Sequence, residues 1–368
     1  FLLDHLPFNL HMVVATRADP PLPLPGLRAR GHLTEVRQRD LRFTAEEAAV
    51  FLNNTMDLDI STENIAALEA RTEGWIAGLQ MAALSLQGHK SSSVTRSAFV
   101  EAFTGSHRFI LDYLVEEVLE QQSPALQDFL LKTSVLERLS GPLCDAVVGD
   151  RETHASGLSS KSPTPQFTDS QAILEHLEAA NLFIVPLDHE RRWYRYHRLF
   201  ADLLRQRLQH LQPDLFPVLH RRASAWYEHQ GLMTPAIEHG LMAKDLERAG
   251  ILIEENVEAT FMRSEITTFL NWVEKLPDEW VRRRPTLCYY HAWALMMRGQ
   301  SLDVVEQRLE DMAGAQDAHE RADLVAARVA ALRAYLVLFQ ADMHRAALLC
   351  RQALEHLPAS DVSLRSVM

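Results

Sequence analysis

From about Pro213 to its end the chain runs as pairs of helix-length segments, and this feature restricts the fold more than any other. The stretch AALRAYLVLFQADMHRAALLCRQALEHLP carries Ala346, Cys350, Ala353 and Pro358 at spacings that alternate small and bulky residues and close on proline. Those are the positions of the second helix of a tetratricopeptide unit, which repeats about every 34 residues. RPTLCYYHAWALMMRGQSLDVVEQRLEDM shows the first half, with Trp293, Leu295 and Gly299, and LHRRASAWYEHQGLMTPAIEHGLMAKD reads as an earlier, more divergent pair. A helical hairpin hides its apolar face only against neighbours, so a solenoid is expected. No polar capping helix closes it before Met368, and the array is expected to continue.

Composition narrows the classes. The 368 residues hold 37 Lys and Arg against 49 Asp and Glu, a net charge of −12, with 47% apolar and 23% charged residues. That is an ordinary folded composition. The acidic balance argues against a general nucleic-acid binder, whose affinity rests on cations against phosphate. Three scattered cysteines, Cys144, Cys288 and Cys350, exclude a disulfide framework and a CxxC zinc site and fit a reducing cytoplasm. The longest apolar run, Leu324–Phe339, is broken by Arg328 and Arg333, so no membrane partner is expected. The opening FLLDHLPFNLHMVVATRADPP has neither a methionine start nor a signal peptide and reads as an internal piece of a longer protein.

The first forty residues read differently from the rest. LHMVVAT, residues 10–16, is short and β-branched, as a buried strand would be. Arg17 and a loop containing Pro20, Pro21, Pro23 and Pro25 come next, and a second extended piece is expected near Leu33–Val36. In α/β folds ligands sit at the carboxyl ends of strands. After Phe43 the pattern is helical. Thr44 and Glu47 form a capping box opening a helix through Leu52, Ser61 or Thr62 opens the next, and Thr72 is expected to cap one through Leu86. Ser123-Pro124 starts a further helix. RETHASGLSSKSPTPQFTDS, residues 151–170, is aperiodic and reads as a flexible surface loop. Gln171–Ala180 is amphipathic through Ile173, Leu174 and Leu177, and NLFIVPLDHERRWYRYH reads as a hairpin turning at Asp188–Glu190. A long helix, His197–Leu211, comes directly after it. Helices and then a hairpin packed on them describe a winged helix.

No HExxH, GxSxG, GxGxxG or GxxxxGK[ST] occurs, so zinc protease, serine hydrolase and nucleotide-loop signatures are absent. Three places could still carry chemistry. Arg17 at a strand end could bond a phosphate bidentately; a solvated strand-end arginine is the alternative. His197 could donate to a phosphate oxygen, whereas a histidine among Trp193, Tyr194, Tyr196 and Phe200 is otherwise a core residue. Gly74 and Gly78 each cost about 1 kcal/mol in a helical pattern. That cost suggests close approach of backbone or ligand, or plain packing through small residues.

In order, TRADPP, TEGWIAGLQMA and WYRYHRLFADLL resemble the MalT-like large ATP-binding regulators of the LuxR family, within the signal-transduction ATPases with numerous domains. RARGHLTEVRQRDLRFTAEEA, GSHRFILDYLVEEVL and LEAANLFIVPLD extend the resemblance over essentially the whole chain. It implies a mainly α fold: a remnant of an α/β nucleotide-binding core at 1–43, a helical subdomain at 44–105, a winged helix at 106–212 with an insertion at 151–170, and an incomplete tetratricopeptide-like sensor at 213–368. It also implies ATP or ADP as ligand, with magnesium only in a full-length protein. Thr16-Arg17 matches the sensor motif that reads the terminal phosphate. Gly74-Trp75-Ile76 matches the adenine-side motif of related plant and animal switch proteins, with isoleucine where those carry proline. Tyr196-His197-Arg198-Leu199 matches their methionine-histidine-aspartate motif, whose histidine holds the ADP β-phosphate; Arg198 replaces the aspartate.

The Walker A loop and Walker B acids would precede Phe1, and the DNA-binding helix-turn-helix would come after Met368. The family implies slow regulatory ATP hydrolysis, which this chain alone is not expected to perform. The expected partners are an inducer on the helical repeats, further copies in the ATP state, and promoter DNA through the helix-turn-helix. The competing expectation is a tetratricopeptide-like interaction scaffold with no nucleotide role.

Overall fold

A computed structural model describes residues 9–16, 19–88, 100, 103, 112–149, 169–314, 322–339, 342–357 and 365. The expected surface loop at 151–170 therefore lies outside the described residues except for its last two. The structure is mainly helical, and its described strands form one two-stranded antiparallel sheet. It divides into two compact units, Phe1–Leu219 and His220–Met368.

The expected strand at 10–16 does not form. Val13 is 92% exposed, and no neighbouring strand lies among the described residues to take up a ladder of hydrogen bonds. An apolar, β-branched run becomes a buried strand only when partners flank it. The extended piece expected at 33–36 likewise remains irregular. Helix α1 (Leu24–Ala29) sits in the proline-rich segment, with Leu27 buried. Ion pairs tie the irregular segment after α1 in place: Arg28 Nε donates to Glu35 at 2.8 Å, and Arg37 clasps both Glu35 and Asp19.

Helix α2 (Ala45–Ala49) opens on the predicted capping box: Thr44 Oγ1 accepts from the Glu47 amide at 3.2 Å and Glu47 returns the bond at 2.9 Å. It runs on as a π-helical stretch, Val50–Thr55. Helix α3 (Thr62–Thr72) is capped by Ser61, and α4 spans Ile76–Gly88. Thr72 does not cap α4. It ends α3, its hydroxyl bonded back to the Leu68 carbonyl at 2.8 Å. Leu52, Leu58, Leu68, Leu79 and Ala82 form the buried face of this helical group.

Helices α5 (Pro124–Thr133), α6 (Gly141–Val148) and α7 (Ser170–Ala179) precede the hairpin of β1 (Ile184–Pro186) and β2 (Tyr194–Tyr196). Ser123 caps α5 as expected, and Asp169 caps α7. The strands pair Ile184 with Tyr196 and Pro186 with Tyr194, while Leu139 bridges to Tyr194 on the other side. Asp188 organises the turn by accepting from the Arg192 and Trp193 amides. Strand alternation then decides the site: Tyr194 and Tyr196 face the core, Tyr196 sharing a 2.7 Å hydroxyl contact with Thr133, and Arg195 faces away. Helix α8 (Arg198–Leu211) buries Leu199, Phe200, Leu203, Leu204 and Leu208 along one stripe.

The second unit continues from α9 (Leu215–His229) with α10 (Met233–Met242), α11 (Leu246–Met262), α12 (Ile266–Val273), α13 (Asp278–Arg282), α14 (Pro285–Met297), α15 (Leu302–Gly314), α16 (Ala322–Phe339) and α17 (Met343–His356). Successive helices pack as antiparallel pairs, α14 with α15 and α16 with α17 most extensively. One turn device recurs. At Gly231, Lys244, Ser264 and Gly299 the chain turns left-handed after a helix. Each time the next amide bonds five residues back, as Leu232 to Tyr227 and Gln300 to Leu295. Cys288, Ala292, Val305, Leu309, Ala327, Leu332 and Ala353 share the core of the last four helices.

Candidate functional site

The helical group and the winged helix meet at the α3–α4 turn. Glu73 and Gly74 are both left-handed there, with φ of 51° and 69°. Gly74 is required there by its left-handed φ and by the close approach of the Phe43 backbone. A Cβ on it would lie 2.4 Å from the Phe43 carbonyl oxygen, and its own carbonyl accepts from the Phe43 amide at 2.8 Å. Gly78 serves packing, since a Cβ there would meet the Trp75 ring at 2.8 Å and Thr72 at 3.1 Å.

Arg195 of the wing, His197 and Arg198 at the start of α8 all end on this turn. His197 precedes α8 and is 2% exposed; its Nε2 lies 2.9 Å from the Thr72 carbonyl. That nitrogen faces an acceptor, so it carries the hydrogen, and Nδ1 is left buried without a partner. Trp75 and Phe183 lie edge-on to the imidazole, at 6.1 and 5.7 Å between ring centres. Burial pushes the His197 pKa down, and the Glu73 carboxylate and the Thr72 carbonyl oppose that only in part. The ring is therefore neutral at pH 7.

Arg195 forks onto Glu73 through bonds of 2.7 and 2.9 Å, and the Arg198 amide, the first of α8, adds a third at 3.0 Å. Arg42 lies 3.6 Å away, and the Arg198 side chain reaches the Ala70 carbonyl at 3.2 Å. Burial alone would raise the Glu73 carboxyl. The Arg195 hydrogen bond, the charges of His197 when protonated and of Arg195, and the Arg198 amide outweigh it and hold the pKa at about 2.

The two sequence motifs at Gly74-Trp75-Ile76 and Tyr196-His197-Arg198-Leu199 are thus brought together. Ile76 starts α4 and is half-buried. Thr16 is exposed, and Arg17 lies outside the described residues. Sequence reasoning missed Glu73 and Arg195. The available signal was an acidic residue directly before a glycine turn, and a wing cation on the face opposite two tyrosines.

An adenine nucleotide can be tested against this site on the orphaned Nδ1. A neutral imidazole offers that atom as an acceptor, so an anionic phosphate oxygen pairs with it only if the ring gains a second proton. The chemistry of that nitrogen fits a phosphate on that condition, and its burial requires the site to open for one to reach it. The buried thiols do not compete for chemistry: burial drives Cys144 up, and Cys288 up to about 12. Among the described residues no cluster of three or more His, Cys, Asp or Glu could hold a metal ion, and no helix is long and apolar enough to cross a membrane.

Residues 115–216 match the MalT winged helix domain. Over 348 residues, 94% of the chain, the sequence is 34% identical to the serine/threonine-protein kinase PknK of Mycobacterium tuberculosis (strain ATCC 25618 / H37Rv), covering 28% of that protein. Across its full length it is 29% identical to the HTH-type transcriptional regulator MalT of Klebsiella pneumoniae (strain 342), covering 38% of it. The identity is 30% to MalT of Serratia proteamaculans (strain 568), with 39% covered. The chain spans between about a quarter and two-fifths of the curated relatives it matches.

Proposed function

We propose that this chain, MalT-like along its whole length and carrying a MalT winged helix at 115–216, is the switch-and-sensor part of an adenine-nucleotide-controlled transcription activator. The observation that carries the reading is the meeting of the Gly74-Trp75-Ile76 turn with His197 through the 2.9 Å bond to Thr72. In this reading His197 holds the β-phosphate of ADP, Trp75 and Ile76 lie on the adenine side, and Thr16 and Arg17 read the terminal phosphate of ATP. The nucleotide supplies the distinction between the two states.

The residues of this chain do the rest. His197 ties the wing to α3, Gly74 lets the Phe43 backbone approach, and Trp75 and Phe183 wall the ring off from water. An inducer bound to the helical hairpins of the second unit favours the open form by binding it better. Going from 1:99 to 99:1 takes about 5.5 kcal/mol of differential affinity. The open form self-associates, and DNA is reached through a helix-turn-helix elsewhere in the protein. The similarity to a protein named as a kinase supports reading this region as a control module that different outputs share.

The test is nucleotide binding by a protein that joins this chain to a GxxxxGK[ST] loop. It should bind ADP and ATP competitively, and His197→Ala should weaken ADP more than ATP. Equal weakening of both, or no binding, contradicts the reading.

A further inference from the structure

Glu73 needs an explanation of its own. A side chain in the left-handed region is strained, whereas Gly74 beside it takes the same conformation freely. The strained position puts the carboxylate, 8% exposed, between Arg195 of β2 and the first amide of α8. The partners lie 122 and 125 residues further along the chain. Helix ends reinforce the pairing. The carboxylate faces the positive start of α8, while the Arg198 side chain and the His197 ring face the last carbonyls of α3.

We propose that Glu73 is a built-in anion clasping the helical subdomain to the winged helix, so that this junction closes without any bound nucleotide and must be unfastened for the wing to leave. A contact held only by ADP would be open in its absence; this one is self-liganded. The clasp stands apart from the nucleotide reading, because it acts in the 368-residue chain with no ligand added.

Hydrogen exchange on that chain tests it. Peptides covering residues 68–76 and 195–202 should be protected without nucleotide. Glu73→Gln should speed exchange in both about tenfold or more and leave α14–α17 unchanged, because losing one member of the pair leaves the other without its partner. Arg195→Gln should do the same, and the double variant should be no worse than either single one. Arg195→Lys, which keeps the charge but loses the fork, should fall between. Unprotected wild-type peptides, singles within twofold of wild type, or single effects that multiply in the double variant would each overturn the clasp. If Glu73→Gln unfolds the first unit outright, the Arg195→Lys result decides: exchange at the wild-type rate rejects the clasp, and intermediate exchange supports it. Failure of nucleotide binding in a longer protein would leave these outcomes untouched.

Discussion

His197 spends one ring nitrogen on the Thr72 carbonyl at 2.9 Å and keeps the other buried and unpaired. Its folded-state pKa lies below the ordinary 6.5, with burial the main cause. The unfolded chain therefore binds the proton more readily, so the junction is most stable above pH 6.5 and loses stability as pH falls below it. An NMR titration of the ring should place its midpoint below 6.5. In a nucleotide-binding version of the protein the phosphate oxygen needs the second ring proton, so ADP binding should take up a proton near neutral pH. Calorimetry in buffers of different ionisation enthalpy reads this directly, and a buffer-independent heat would contradict it.

Gly250 marks a packing contact that permits no side chain. A Cβ there would lie 1.8 Å from the Trp280 ring, over which the Arg284 guanidinium stacks at 4.0 Å while bonding Glu254 at 2.7 Å. Gly250→Ala should cost about 2–3 kcal/mol by denaturant unfolding, as overpacking does. Adding Trp280→Leu should recover part of the loss, a coupling that a double-mutant cycle measures.

Lys244 and Ser264 occupy left-handed turn positions that Gly231 and Gly299 fill elsewhere in the same unit. Lys244→Gly and Ser264→Gly should each stabilise by up to about 1 kcal/mol, offset in part by the entropy of the unfolded glycine. Gly299→Ala should destabilise by a similar amount. Thermal unfolding ranks the three.

His291 lies beside an ion cluster in which Arg308 bonds Asp278 at 2.7 Å and approaches Asp311 at 3.4 Å. Burial, then the Arg308 charge, push its pKa down to about 4 against the attraction of Asp278. The second unit should therefore be at full strength above pH 6.5 and lose up to about 3 kcal/mol as pH falls to 4. His291→Leu should flatten that part of the stability profile.

The 368-residue chain alone should bind ADP weakly or not at all, because the phosphate-cradling glycine loop is absent from its sequence. Sub-micromolar ADP affinity in titration calorimetry would contradict that expectation.

The sequence is most readable where local chemistry decides. The Thr44–Glu47 box, the Ser61 and Ser123 caps, the hairpin closing at Asp188 and the stripe on α8 all rest on neighbours in the chain. The strand expected at 10–16 fails because strand formation needs partners that a periodicity does not reveal. Thr72 is no cap because its hydroxyl had two possible directions, and the back-bond to Leu68 won. His197 and Gly74 are legible as motifs. Glu73 and Arg195 are not, since their pairing spans 122 residues and depends on which face of β2 turns to the core, a choice fixed by tertiary contacts such as Tyr196 with Thr133. Turns at Gly231 and Gly299 announce themselves, whereas those at Lys244 and Ser264 do not.

Sedimentation of a protein that joins this chain to a GxxxxGK[ST] loop is the most direct measurement of the proposed switch. Wild type should be monomeric with ADP and self-associated with ATP plus inducer, and His197→Ala should self-associate with either nucleotide. If His197→Ala remains as nucleotide-dependent as wild type, or wild type shows one assembly state with both nucleotides, the account of His197 as the hold on the closed form is wrong.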